Sequence, residues 1–261
     1  DTRNLVSRRI RVCTENGDFE GVMNPGGKPI HISSPEERKK VPEVGEFFID
    51  LGMDAKAVKK KVQIGDYVVM HEPFLDCPQK VFSKALDNRF ACFIAIEAVR
   101  KIAASRAKAN QHSCEIVVAF TTQEEVGLRG AQTAAYHVNA DIGIGLDVTL
   151  ACDTPGVPDS MRVTKHGDGV GVMLQDSSMI ADYQLVEDLC ETARRKKIPY
   201  QRCILPRGGQ DGAAIQRAAG GARCAAVVCG TRYIHTVTES IDKHDLQASI
   251  DLLATWLPTV K

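Results

Sequence analysis

The chain has 261 residues, of which 44% are hydrophobic and 25% charged, and this length suffices for one large domain or two smaller ones. Lysine plus arginine equals aspartate plus glutamate at 33 each, so no net field favours nucleic acid or an anionic membrane surface as a partner. The apolar runs are too short to span a bilayer, the N-terminal stretch lacks a signal-peptide core, and the nine cysteines form no CxxC pair, which together predict a soluble cytoplasmic protein with reduced thiols.

The first part of the chain, residues 3–80, has the pattern of a small β-rich domain. Short segments of alternating polar and apolar residues are separated by Gly and Pro, and the first two read as a hairpin around Glu15, Asn16 and Gly17. A polar connection containing PEERKK follows. Further strands are predicted in GEFFIDLG and IGDYVVMHEPF, and a short helix in DAKAVKKKV.

The second part, residues 81–261, alternates strands with helices, so we place a domain boundary near residue 80. Helices are predicted in RFACFIAIEAVRKIAAS, LRGAQTAAYHV, ADYQLVEDLCETARRKK and HDLQASIDLLATWL. Strands are predicted in CEIVVAFTT, ADIGIGLDVT and ARCAAVVCG. Strands that are apolar on both faces and separated by helices predict an α/β layer architecture with a largely parallel sheet.

Acidic residues and one histidine fall where the predicted strands end. Asp87 follows VFSKAL, Glu124 and Glu125 follow CEIVVAFTTQ, Asp147 follows DIGIGL, and His235 follows the strand ending in VVCG. Ligands of open α/β sheets gather at the carboxyl ends of the strands, so we expect these side chains to converge. Carboxylates and an imidazole together form a ligand set for one or two divalent ions.

Each of these residues alone has an ordinary structural interpretation. Asp87 could cap the helix that follows it, His235 could be a satisfied core or surface histidine, and the two glutamates could form a solvated turn. Only their joint occurrence favours a metal site.

Five motifs in fixed order resemble a known family. KALDNR, TTQEEVGLRGA, GLDVT, GGQDGAAI and TRYIHT are similar to motifs of the dinuclear metalloaminopeptidases that assemble into tetrahedral particles, the glutamyl and deblocking aminopeptidases often mislabelled endoglucanases. SPEERKK and IGDYVVM resemble the β-barrel dimerisation domain of that family. The resemblance implies a zinc-peptidase-like α/β/α sandwich plus this barrel, and association of dimers into a dodecamer.

The resemblance also assigns roles in the metal site. Asp87 would bridge two divalent ions, Asp147 would hold one of them, and Glu125 with His235 the other. Glu124 would be the general base that acts on a water shared by the ions, which explains why two glutamates are adjacent. The ions would be zinc foremost, with cobalt or manganese as alternatives.

The substrate implied by the resemblance is the N-terminus of a peptide. Asp211 is expected to shape the substrate side of the site, and Arg232 could favour acidic side chains. This sequence departs from the family pattern at two positions: Asn88 follows Asp87 where a second Asp is more frequent, and Gln210 replaces a Thr. The peptide bond between Asp87 and Asn88 is predicted to be cis.

One element of the family pattern lies outside the sequence. The family's first ligand is a His in a His-x-Asp motif ahead of the β-barrel domain, and this sequence begins at the barrel; a truncated or partial chain is therefore expected. This leaves a catalytically impaired fragment or a non-enzymatic scaffold of the same fold as an alternative function. A glycoside hydrolase with paired carboxylates is a further alternative, but one Trp and 5% aromatic residues provide few sugar-stacking platforms.

Overall fold

The computed structural model describes residues 1–105 and 114–261, and their contacts form two compact units. The N-terminal unit is Asp1–Phe74 and the C-terminal unit is Leu75–Lys261. The division falls a few residues before the position near residue 80 that the sequence suggested, because the strands that follow Phe74 pair within the C-terminal sheet. None of the helices in the described residues is long and apolar enough to cross a membrane.

The N-terminal unit contains a four-stranded antiparallel sheet in the order β3-β2-β1-β4. Its strands are β1 (Arg8–Thr14), β2 (Gly17–Pro25), β3 (Phe47–Asp50) and β4 (Tyr67–Met70). The predicted hairpin is confirmed by the pairing of β1 with β2, in which Thr14 lies opposite Gly17. Ile10 and Val12 of β1 are buried and form the apolar centre of this sheet.

Two short helices accompany this sheet. Helix α1 (Pro35–Lys39) lies in the stretch read as a polar connection, and Ser34 and Glu37 cap it reciprocally. Helix α2 (Ala55–Lys61) confirms the predicted helix and begins after Asp54, whose carboxylate accepts a hydrogen bond from the Ala57 N–H. Local capping chemistry thus fixes both helix starts.

The C-terminal unit is built on a seven-stranded mixed sheet. Its strands are β5 (Leu75–Asp76), β6 (Lys80–Ser83), β7 (Ile142–Leu150), β8 (Val170–Gln175), β9 (Tyr200–Ile204), β10 (Arg223–Arg232) and β11 (Glu239–Asp242). The order is β5-β6-β11-β10-β8-β9, and β7 pairs with β10.

The expectation of a largely parallel sheet is wrong. Only β7 with β10 and β8 with β9 are parallel, whereas the other four pairings are antiparallel. The connection between β10 and β11 is too short for the crossover that parallel neighbours require, so β11 returns antiparallel to β10. Strand β6 overlaps the strand expected in VFSKAL before Asp87, whereas β5, β8, β9 and β11 were not predicted from the sequence.

The described residues of the C-terminal unit contain five α-helices: α3 (Leu86–Ala104), α4 (Arg129–Val138), α5 (Tyr183–Lys196), α6 (Gly212–Arg217) and α7 (Lys243–Trp256). The four predicted helices are confirmed as α3, α4, α5 and α7. In α5 the residues Leu185, Leu189 and Ala193 recur on one buried face at helical spacing. They pack with the buried strand β10, whose apolar residues face both sides of the sheet.

The strand predicted in CEIVVAFTT is wrong for the described residues. The segment 114–122 belongs to no strand, and the side chains of Val117, Val118 and Phe120 are exposed. A strand needs hydrogen-bonded neighbours as well as an apolar sequence, and no sheet in the described ranges incorporates this segment. The segment nevertheless leads directly into the turn that carries Glu124 and Glu125.

Candidate metal centre

Three of the predicted ligands, from distant parts of the chain, lie together. One ligand atom each from Asp87, Glu125 and His235 lies within 4.8 Å of the other two. The His235 Nε2 atom is 3.1 Å from Asp87 Oδ2 and 3.7 Å from Glu125 Oε2. Two carboxylates and an imidazole at this spacing fit a zinc-like ion, for which oxygen and nitrogen donors are suitable.

The cluster is open on one side. The side chains of His235 and Glu125 are 64% and 61% exposed, whereas that of Asp87 is 13% exposed. Asp87 therefore forms the floor of the cluster and the other two its rim. This arrangement leaves access for a ligand from solvent.

Each of the predicted site residues Asp87, Glu124, Glu125 and His235 follows or begins a defined element. Asp87 lies at the start of α3, Glu124 and Glu125 begin a 3-10 turn at Glu124–Val126, and His235 follows β10. The Asp87–Asn88 peptide bond is cis, which confirms the prediction.

Asn88 connects the Asp87 turn to strand β7. Its Nδ2 donates a hydrogen bond of 3.0 Å to the Leu146 carbonyl, next to Asp147, and its Oδ1 accepts one of 3.1 Å from the Ala91 N–H. An ionised aspartate at this position could not donate to Leu146. The side-chain amide of Asn88 thus links the segment of Asp87 to the segment of Asp147 by a hydrogen bond.

Asp147 lies within β7 and outside the three-residue cluster. It is 7% exposed, and its Oδ1 accepts a 2.7 Å hydrogen bond from the neighbouring Val148 N–H. Burial, followed by the negative charges of Asp87, Glu124 and Asp211, raises the pKa of Asp147 well above its usual range. Asp147 is therefore electrostatically part of the site although it does not contact His235 or Glu125 in the three-residue cluster.

The two other central acids are also perturbed. Burial and then the charges of Glu125 and Glu239 raise the pKa of Asp87 to about 6. Burial and then the charges of Glu125, Asp211 and Asp87 raise the pKa of Glu124 to about 7. A carboxyl group that titrates near neutrality is well suited to accept and return a proton.

Asp211 faces the same acidic region. The Thr121 hydroxyl donates a hydrogen bond to its Oδ2, while its Oδ1 is buried and has no hydrogen-bond partner in the described residues. Gln210 turns elsewhere: its Nε2 donates to Asp176 at 3.0 Å and its Oε1 accepts from the Gly212 N–H at 2.6 Å. The side chain of Gln210 thus forms hydrogen bonds at the start of α6 and with Asp176 rather than with the acidic cluster.

Arg232 has a partner that the sequence did not reveal. Its Nε and Nη2 donate hydrogen bonds of 2.6 and 2.7 Å to the two oxygens of Asp153. Burial alone would raise the pKa of Asp153, but hydrogen bonds from Arg232 and from the His166 N–H lower it to about 2. Arg232 is thus held in an internal ion pair, and its role in substrate selection stays a prediction.

Sequence reasoning also missed Glu239, a buried carboxylate at the start of β11. It accepts hydrogen bonds from the main-chain N–H groups of Asp87 and His235. Its sequence signal is weak: one acid four residues after the ligand His235, between Thr238 and Ser240.

The fold and this cluster together define an α/β protein with a candidate divalent-metal centre where the strands β6 and β10 end. Residues 1–252 match the M42 glutamyl aminopeptidase family. The chain therefore belongs to that family.

Individual relatives agree with this assignment. A protein of Acetivibrio thermocellus is 36% identical over 225 residues, which are 86% of this chain and 66% of its own length. The TET aminopeptidase of Thaumarchaeota archaeon SCGC AB-539-E09 superposes with a TM-score of 0.92 at 32% identity, covering 100% of this chain and 73% of that one. For the Pyrococcus horikoshii TET1 peptidase, which can assemble into a tetrahedron or a large octahedral shell, the TM-score is 0.84 at 26% identity, with 100% and 74% covered. The chain thus spans about two-thirds to three-quarters of the length of these relatives.

Proposed function

We propose that the protein is a metal-dependent aminopeptidase in which Glu124 is the general base. The observation that carries the proposal is the convergence of Asp87, Glu125 and His235 beside Glu124, whose pKa is raised to about 7. Membership of the M42 family supports hydrolysis of peptides rather than of glycans.

The donor atoms suit two divalent ions. Asp87, Glu125 and His235 would hold one ion, and Asp147 together with Asp87 would contribute to holding the other. Zinc, cobalt and manganese all accept carboxylate and imidazole ligands. Ions bound there would supply positive charge that acidifies water and polarises a peptide carbonyl.

Glu124 carries the proton through the reaction. Its carboxylate takes a proton from the water that attacks the scissile carbonyl, and then gives that proton to the leaving amine. In the metal-free protein, burial and the neighbouring acids raise its pKa to about 7, and a raised pKa favours uptake of the proton from water. A metal-bound state would lower this pKa, since positive charge favours the carboxylate.

The surplus of carboxylates favours a substrate with a free amino terminus. Asp211 has one oxygen without a hydrogen-bond partner in the described residues and lies close enough to Glu124 to influence its pKa. We assign it to the substrate side of the site, where it attracts the positive terminal amine. Cleavage would then remove residues from the N-terminus.

The N-terminal unit is proposed to mediate self-association as a β-barrel dimerisation domain. Its sheet register places Val22, Phe48 and Val69 on one face, and all three are substantially exposed. The same face carries Arg9, Arg11, Glu20 and Asp50, so a second copy would bury apolar side chains together with paired charges there. Assembly of dimers into a dodecamer would correspond to the dodecamer of the solved relative PhTET1-12s.

Release of amino acids tests this function. The full-length protein, supplied with zinc, cobalt or manganese, is incubated with a panel of aminoacyl-anilides and with a soluble glucan. We expect amino acid release that a chelator abolishes and no reducing sugar from the glucan. Metal binding without hydrolysis of any peptide would instead assign a scaffold, and sugar release would assign a glycoside hydrolase.

A further inference from the structure

Glu239 is a buried acid that joins the two parts of the candidate metal centre. Its side chain is among the buried polar groups, with the residue 2% exposed. Its Oε2 accepts a 2.9 Å hydrogen bond from the Asp87 N–H, and its Oε1 accepts a 2.8 Å hydrogen bond from the His235 N–H. Each oxygen of the Glu239 carboxylate thus accepts a hydrogen bond from the main-chain N–H of a different proposed ligand residue.

The position of β11 in the sheet explains this double contact. Strand β11 lies between β6, which precedes Asp87, and β10, which precedes His235. Glu239 is the first residue of β11 and lies opposite Ser83 of β6. Its side chain therefore reaches both segments where they leave the sheet.

We propose that Glu239 is a positioning residue that fixes the separation of Asp87 and His235 for metal binding. The inference rests on the proposed function, because it assumes that these two residues are ligands. Supporting groups of this kind orient the ligands of metal sites and influence metal affinity, although they do not touch the ion.

The two contacts require a hydrogen-bond acceptor at each side-chain oxygen. Glutamate offers an acceptor at each oxygen, whereas glutamine offers one acceptor and an NH₂ group that would face a second N–H donor. One of the two ligand segments would then lose its anchor. A change that removed both acceptors, such as Glu239→Ala, would release both segments.

If the role of Glu239 were purely structural, it would stabilise β11 but would have no specific effect on metal affinity. Ser240 provides the matched control, because it is the next residue of the same strand, is 0% exposed, and its hydroxyl has no hydrogen-bond partner in the described residues. Ser240→Ala disturbs the same buried strand but not the Asp87 or His235 main chain.

The test is titration of full-length wild type, Glu239→Gln, Glu239→Ala and Ser240→Ala with Co²⁺, monitored by visible absorption and by calorimetry. Circular dichroism first establishes that each variant is folded. We expect Co²⁺ affinity to fall about 10- to 100-fold in Glu239→Gln, further in Glu239→Ala, and to change little in Ser240→Ala. The cobalt spectrum of the Glu239 variants should differ from that of the wild type.

Three results would overturn the inference. Unchanged affinity and spectrum in folded Glu239→Gln would show that the anchor is not needed, and an equal loss in Ser240→Ala would reduce Glu239 to a strand-stabilising residue. Absence of Co²⁺ binding by the wild type would overturn the proposed function together with this inference. If Glu239→Gln does not fold, Glu239→Asp, which keeps the charge but is one methylene shorter, is measured against the same expectations.

Discussion

Two charged clusters each include a basic residue near the end of β10, Arg232 in one and His235 in the other, and the pKa values of their acids shift in opposite directions. In the first, Asp153 receives two hydrogen bonds from Arg232 and one from the His166 N–H, and its pKa falls to about 2. Lys80 completes this group, with its Nζ 3.5 Å from Asp242 and 2.9 Å from His166 Nδ1. The chain itself supplies the cations there.

In the second cluster the acids mainly face other acids. The pKa of Asp87 rises to about 6, that of Glu124 to about 7, and that of Asp147 well above its usual range. His235 is the one basic side chain paired with Asp87 and Glu125 among the described residues. The contrast indicates that the Arg232 cluster serves the fold, whereas the acidic cluster is arranged for a cation from solution.

The largest effect is expected for Glu124→Gln. The amide keeps the size of the side chain but cannot accept the proton, so we expect kcat to fall about 10²- to 10⁴-fold. Metal content should stay at the wild-type value, because Glu124 is not among the three clustered ligand residues. Turnover close to wild type in a metal-loaded variant would remove Glu124 as the base.

Asp153→Asn tests the structural cluster. The Asp153 side chain is 6% exposed, so the substitution leaves a partly buried Arg232 without a charged partner. We expect a loss of about 3 kcal/mol in the free energy of unfolding, measured by denaturant titration of the metal-free protein. A loss below roughly 0.5 kcal/mol, as for an exposed pair, would mean that the internal pairing has little structural importance.

Asp87→Asn is the matched change in the acidic cluster, and the expected sign is opposite. An acid whose pKa is raised on folding is destabilising once it ionises, so its removal should stabilise the metal-free protein by about 1 to 2 kcal/mol at pH 8. This gain should shrink as the pH falls from 6 to 4, where the native carboxyl is already protonated. Denaturant titrations across this range, with and without Zn²⁺, measure it.

The same variant should lose the stabilisation by added metal. In the wild type, Zn²⁺ at 100 times its Kd would add about 2.7 kcal/mol. Destabilisation of the metal-free protein by Asp87→Asn, or an undiminished response to Zn²⁺, would contradict the contrast between the clusters.

The smallest effect is expected for His166→Asn. Burial, followed by the positive charges of Lys80 and Arg232, lowers the pKa of His166 to about 4. Because the unfolded state binds this proton more readily, wild type should lose stability as the pH falls from about 6.5 towards 4. Between pH 7 and pH 5, the free energy of unfolding of the variant should fall by about 1 kcal/mol less than that of the wild type. This figure includes a reduction for the screening of charges by solvent. Parallel stability curves for the two proteins would show that His166 does not titrate differently on folding.

The sequence predicted those elements whose signal is local. The hairpin at Asn16, helix α2 after Asp54, and the amphipathic helix α5 all depend on neighbouring residues, through turn chemistry, capping or helical spacing. The strand expected at 114–122 was wrong because pairing depends on a neighbour, and an apolar sequence does not specify one. The expectation that most paired strands run parallel was wrong for the same reason, because strand direction also depends on the neighbouring strand.

The sequence predicted those site residues whose side-chain type and position in a motif indicate metal binding. Asp87, Glu125 and His235 could be proposed as neighbours from strand endings and motifs, and the structure brings them together. Asp153 and Glu239 could not, because neither lies in one of the five motifs: Asp153 pairs with Arg232 only through the tertiary fold, and Glu239 binds main-chain N–H groups. Such contacts follow from the completed fold rather than from spacing.

The central claim is that the acidic cluster binds divalent ions, and metal content measures it most directly. Full-length protein and Asp87→Asn are purified without chelator, equilibrated with Zn²⁺, Co²⁺ or Mn²⁺, and assayed by mass spectrometry for ions per chain. We predict about two ions per chain in the wild type and a loss of at least one in Asp87→Asn. No bound ion in the wild type, or the same content in both proteins, would contradict the account.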